Sequence, residues 1–240
     1  MTRGLLFGCP GPKRNLTCGV EKRTVPKEDG QEGNMHGRPY FHAAIAAAML
    51  LAATPAPGSP LNVVTVAAPA VNCVFSANCI ITVTDSVGQL PLGNLDKPNT
   101  AWLQSRTFTG AAGTPGAGKT GYEYRLDMTQ ASGSLECIGG IVVNFGPVSQ
   151  LPYKNNQPAD VYVITQGGLG TIGIGSADKD GDVITFNFAK FICASEPANA
   201  ANTTFFFGLA SVNPPTPISA GVFASGNPPY FSIPASAPKH

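Results

Sequence analysis

Of 240 residues only 12% are charged, while glycine (28) and proline (22) are abundant, a turn-rich profile that argues against a helical bundle. The net charge is +1, but residues 1–38 hold seven Lys/Arg and four Asp/Glu, which leaves eight basic and ten acidic residues for the rest and no basic cluster for nucleic acid. The histidines are His36, His42 and His240, so nothing from Ala43 to Lys239 can supply a Ser-His-Asp or Cys-His site, a His-ligated zinc or a histidine pH switch.

Residues 1–34 are polar and lack hydrophobic periodicity, and Cys9 and Cys18 stand in no metal-binding spacing. They read as a disordered extension or a misassigned start. From Met35 the chain has Arg38, an apolar run over Ala43–Ala53, then small residues and prolines. That is the anatomy of a signal peptide, here 35–56, and the run is too short to cross a membrane. A buried alanine-rich helix is the alternative. Cleavage is expected after Ala53 or Ala56, with Pro57 obstructing the second, and the Pro/Ala-rich residues 57–70 read as a linker. The expected compartment is therefore extracellular, periplasmic or the bacterial cell envelope.

From Val71 to Gly226 the apolar period is two. Cys79–Asp85, Tyr122–Thr129, Gly139–Gly146, Asp160–Thr165, Asp182–Ile192 and Thr203–Ser211 are short runs rich in β-branched and aromatic residues, and Ala101–Phe108, Leu169–Ser176 and Ile218–Ser225 are weaker ones. Six to nine strands with no helix between them predict an all-β domain over 71–226: an antiparallel β-sandwich, jelly-roll-like or Ig-like, with a closed barrel as the alternative. Residues 227–240 read as a Pro-rich tail. Cys73, Cys79, Cys137 and Cys193 form an even set suited to disulfides. The preferred pairing is Cys73–Cys79, around a hairpin at Ser76-Ala77-Asn78, with Cys137–Cys193.

Four features invite chemistry. GTPGAGKT (Gly113–Thr120) matches the phosphate-binding P-loop pattern, yet that chemistry needs a following helix and GYEYRLDMTQ reads as a strand. A flexible hairpin loop without nucleotide binding is expected instead. Asp178, Asp180 and Asp182 around Gly181 resemble an oxygen-rich calcium loop, although the fuller pattern puts glycine after the third acid and adds a distal Glu. A plain Asp-Gly turn is the favoured alternative, and no other cofactor is expected. Glu123 and Asp127 share one face of Tyr122–Thr129 with Arg125 and Thr129, so they could pair as a glycosidase does but read more simply as a solvated face, with Asp160 a further carboxylate. Trp102, Tyr153 and Tyr162 would serve a carbohydrate-binding module if exposed, though core packing is the commoner fate of such residues.

Over residues 100–225, on FFFGLAS (Phe205–Ser211), GYEYRLDMTQ and ADVYVIT, the chain resembles the exported bacterial β-sandwich ectodomains of the PEP-CTERM, exosortase-associated kind. The resemblance implies a cell-envelope or extracellular role and no particular reaction. NPPYFSIPASAPKH departs from that family in having neither an apolar anchor nor a basic tail. Three functions follow as expectations: a secreted non-enzymatic domain for adhesion, matrix or envelope association; a carbohydrate-binding module; or a hydrolase using Glu123, Asp127 or Asp160. The partner expected is a surface or matrix glycan or protein.

Overall fold

Period-two patterning builds the strands as expected. In Val183–Cys193 the residues Ile184, Phe186 and Phe188 turn inward and are buried, while Thr185 and Asn187 between them are only half-buried. The computed structural model describes residues 58–92, 100–133, 137–195, 197–223 and 231–240. The extension 1–34 and the signal peptide 35–56 lie outside the described residues.

Fourteen strands and one helix are present among the described residues. In chain order they are β1 (Ser59–Pro60), β2 (Val63–Ala67), α1 (Ala68–Phe75), β3 (Thr84–Gln89), β4 (Trp102–Thr109), β5 (Thr120–Asp127), β6 (Cys137–Asn144), β7 (Leu151–Lys154), β8 (Gln157–Ala159), β9 (Val161–Gln166), β10 (Ile174–Asp180), β11 (Val183–Cys193), β12 (Phe207–Ser211), β13 (Pro215–Phe223) and β14 (Phe231–Pro238). Sheet A runs β1-β10-β11-β6-β13-β14, sheet B runs β2-β9-β12-β5-β4-β3, and β7 and β8 form a separate hairpin. The fold class is all-β, two open six-stranded sheets, antiparallel except that β2 runs parallel to β9.

The apolar interior lies between the sheets. Tyr124 packs against Phe186 and Phe207 at ring distances of 6.2 and 6.0 Å, and its hydroxyl donates to the Ser236 carbonyl at 2.7 Å. Tyr122 likewise donates to the Asn213 carbonyl at 2.8 Å. A buried phenol must find such an acceptor, and here it lies in the chain that faces sheet B.

Several expectations about boundaries are corrected. Residues 57–70 were expected as a linker, but Val63, Val64 and Val66 give β2 its strand character, and β1 and β2 enter sheets A and B respectively. The tail 227–240 was also expected to stand apart, yet β14 is an edge strand of sheet A, the place where its prolines remove fewest ladder bonds. The number of strands exceeds nine because short ones such as β7 and β8 carry no long apolar run. Their turn, Asn155-Asn156, has φ of 51° and 59°, the geometry of a type I′ hairpin.

The helix was not expected either. Proline enters it at its first turn, and Val71, Val74 and Phe75, at helical spacing, are its buried residues. The disulfides are Cys73–Cys79 and Cys137–Cys193, with Cα separations of 4.1 and 4.0 Å. The second joins residues directly opposite each other on β6 and β11. The first does not close a hairpin around Ser76-Ala77-Asn78: it ties the last turn of α1 to the turn after it, where Cys79 has a φ of 59°.

Candidate functional site

On the outer face of sheet B, strand pairing aligns Asp85, Arg106, Glu123, Gly208 and Tyr162 in one row across β3, β4, β5, β12 and β9. The alternation read from Tyr122–Thr129 therefore holds, with Glu123, Arg125 and Asp127 on the outer side. Their predicted exposure does not. Glu123 is 2% and Asp127 4% exposed. A second apolar layer covers part of this face: Val71, Val74 and Phe75 of α1 with Leu151 and Tyr153 of β7, packed on Phe108, Tyr162, Ile164 and Phe206. Burying a side chain such as Phe75 contributes about 1.5–3 kcal/mol, enough for so small a layer to stay docked.

Glycines admit the aromatic rings of this layer. A Cβ on Gly116 would lie 2.7 Å from the Phe75 ring, and one on Gly208 would lie 2.7 Å from the Tyr162 hydroxyl and closer still to the Tyr122 carbonyl oxygen. The Tyr162 hydroxyl donates to Glu123 Oε1 at 3.1 Å. Burial pushes the Glu123 carboxyl up from 4.5 to about 7, against the opposing pull of the Tyr162 hydrogen bond and Arg106, with Asp85 adding to the rise. The Tyr162 phenol is raised well above its ordinary value by burial and then by Glu123. Tyr153 packs on Tyr162 with ring centres 4.6 Å apart and planes tilted by 52°, and its buried hydroxyl has no partner among the described residues.

Arg106 does not neutralise Glu123 by direct contact. Its Nε bonds Asp85 Oδ1 at 2.7 Å, and its guanidinium lies 4.0 Å from the centre of the Phe206 ring, which Arg125 also approaches at 5.7 Å. Asp127 is clasped by Arg125 at 2.6 Å and by the Thr129 amide and hydroxyl at 2.9 and 2.7 Å. Glu123 and Asp127 stand four residues apart on one strand, roughly 13 Å along the backbone. Catalytic carboxylates of glycosidases lie about 5–9.5 Å apart. Asp160 accepts the Asn62 amide at 2.8 Å and holds the chain entering β2.

The remaining expected sites are placed as follows. Tyr153 and Tyr162 are 1% and 0% exposed, so neither offers a sugar platform: Tyr153 is the part of the outer layer that packs down on Tyr162. Trp102, at the start of β4 on the same outer face, is half-buried. GTPGAGKT joins β4 to β5 as a hairpin loop, and a strand follows Thr120 where a phosphate loop would need a helix. The loop is tied to α1, because Ala111 and Gly116 donate to the carbonyls of Phe75 and Val74 at 2.8 Å each. Asp178 sits in β10 with its carboxylate engaged by Ser176 and Asn187, while Gly181 and Asp182 make the β10–β11 turn, Gly181 at a φ of 56°. No group of three His, Cys, Asp or Glu side chains among the described residues is placed to hold a metal ion. No helix among them is long and apolar enough to cross a membrane.

Comparison with known proteins finds no matching family model, no matching curated protein and no matching solved structure.

Proposed function

We propose that this chain is an exported, disulfide-stapled binding domain that associates with the cell envelope or matrix and catalyses no reaction. The observation that carries this reading is how the three carboxylates considered for hydrolysis are used: Glu123 is covered, Asp127 is clasped and Asp160 holds a backbone amide. Two disulfides suit an oxidising compartment, and the apolar run Ala43–Ala53 suits export. The test has two arms. Secreted protein should begin between Thr54 and Ser59, ahead of β1, and should release no product from a panel of polysaccharides. Retention of Met35 would refute export, and turnover lost in Asp160→Asn would refute the binding role.

A carbohydrate-binding role is the second reading. It is favoured by Trp102, the one candidate aromatic that reaches the surface, on the outer face of sheet B beside Gln104. Retention on an insoluble polysaccharide that Trp102→Ala abolishes would select it; equal behaviour of both proteins on a glycan array would reject it.

A further inference from the structure

Glu123 is a buried acid with a single side-chain hydrogen bond among the described residues, from Tyr162. The charged and titratable groups around it are Asp85 on β3, Arg106 on β4, Tyr162 on β9 and Tyr153 on β7, with Asp160 acting on Tyr153 and the Arg125–Asp127 pair further along the same face of β5. From β12 it meets only Gly208, and α1 brings no titratable side chain beyond the bridged Cys73. Of the two cations, Arg106 bonds Asp85 through its Nε and Arg125 bonds Asp127. An ionised Glu123 is thus poorly compensated, whereas a protonated one is tolerated in this apolar setting.

What covers Glu123 is a separate small layer, the eight-residue α1 and the β7–β8 hairpin, lying outside sheet B. Cys73–Cys79 begins and ends within the segment of α1 and its following turn, so it does not fasten that layer to the sheet. Lifting this layer would expose Glu123 to water while leaving the sandwich interior closed.

We propose that Glu123 is a proton-dependent latch, holding the α1 and β7–β8 layer against sheet B when protonated and releasing it as the carboxyl ionises. Burial moves the carboxyl from 4.5 to about 7 in the closed form, so the change falls near neutral pH. The closed form binds the proton more tightly than the open form, so closure is favoured below about pH 4.5 to 7 and weakens as pH rises through that window.

The test is amide hydrogen exchange, corrected for intrinsic rates, at about pH 4 and about pH 8.5 on either side of that window. Ala111 and Gly116 report on the layer, because their amides bond the α1 carbonyls of Phe75 and Val74. Their exchange should be about tenfold or more faster at the higher pH, with β11 amides unchanged, and Glu123→Gln should remove the difference. Tyr162→Phe, which deletes the bond that favours the ionised form, should move the midpoint upward and gives a second reading if the Gln variant fails to fold. Equal protection at both pH values, the same acceleration in Glu123→Gln, matching acceleration in β11, or an unmoved midpoint in Tyr162→Phe would each overturn the latch.

Discussion

Gly208 lies directly opposite Glu123 in the β12–β5 ladder, and the side chain it lacks leaves the space through which the Tyr162 hydroxyl reaches that carboxyl. The fit is tight on both sides. A methyl there meets the Tyr162 hydroxyl and the Tyr122 carbonyl, and the latter belongs to a ladder that cannot swing away.

Gly208→Ala is therefore expected to lower unfolding free energy by about 1–3 kcal/mol, the usual result of overpacking a filled site. Urea denaturation measures it. A neutral outcome would show that the row from Asp85 to Tyr162 is looser than its distances imply.

The pH response of overall stability follows from Glu123. A group whose pKa is higher folded than unfolded stabilises the folded state at low pH, and that contribution declines as pH rises from 4.5 to about 7 and is gone above it. Each pKa unit corresponds to about 1.4 kcal/mol, so the decline is at most a few kcal/mol. Glu123→Gln should melt at a temperature less dependent on pH across this window and should exceed wild type at alkaline pH. Parallel melting curves for the two proteins would contradict the assignment.

The disulfides should differ in effect. Cys137–Cys193 spans 56 residues and Cys73–Cys79 spans 6. In the chain-entropy model the longer loop is worth about 4 kcal/mol and the shorter about 2 kcal/mol. Guanidinium denaturation of Cys137→Ser and Cys73→Ser should rank them in that order, and the reverse order would point to the helix clip as the stronger constraint.

Within GTPGAGKT the structural residue is Gly116, not the lysine. Lys119 is half-buried with no side-chain bond among the described residues, so Lys119→Ala is expected to change stability by no more than ~0.5 kcal/mol, while Gly116→Val should disturb the seat of Phe75. Saturable magnesium-dependent nucleotide binding lost in Lys119→Ala would reverse this reading.

Calcium should leave the melting temperature unchanged, since Asp182 lies in a turn and Asp178 is engaged by Ser176 and Asn187. Ligand at a hundredfold over its dissociation constant adds about 2.7 kcal/mol to a site that binds only the folded state. A shift of that size, absent in Asp180→Ala, would establish a site at this hairpin.

The strands with strong period-two patterning were legible in the sequence, as was an even set of body cysteines suited to disulfides. Beta-branched alternation at Asp182–Ile192 needs no tertiary information, and only the oxidised pairing of four cysteines had to be guessed. The covered state of Glu123 was not legible, because alternation tells which side a residue faces and not what lies on that side. The covering layer comes from α1 and β7, remote in sequence, and α1 begins inside the Pro/Ala-rich residues 57–70 whose composition suits a linker. A signal for α1 was present in Pro69 followed by Val71, Val74 and Phe75 at helical spacing. Tyr153 and Tyr162 carried no signal that separates a surface platform from a buried pair.

The two shortest N-terminal strands have a kinetic consequence. Ser59 pairs with Lys179 and Val63 with Val161, so the first strands of the domain cannot find their places until some hundred later residues exist. Topologies dominated by such distant pairings fold slowly, on the order of milliseconds to seconds, rather than in microseconds. The two N-terminal strands of a chain emerging from a ribosome would accordingly stay unpaired until β9 and β10 had been made.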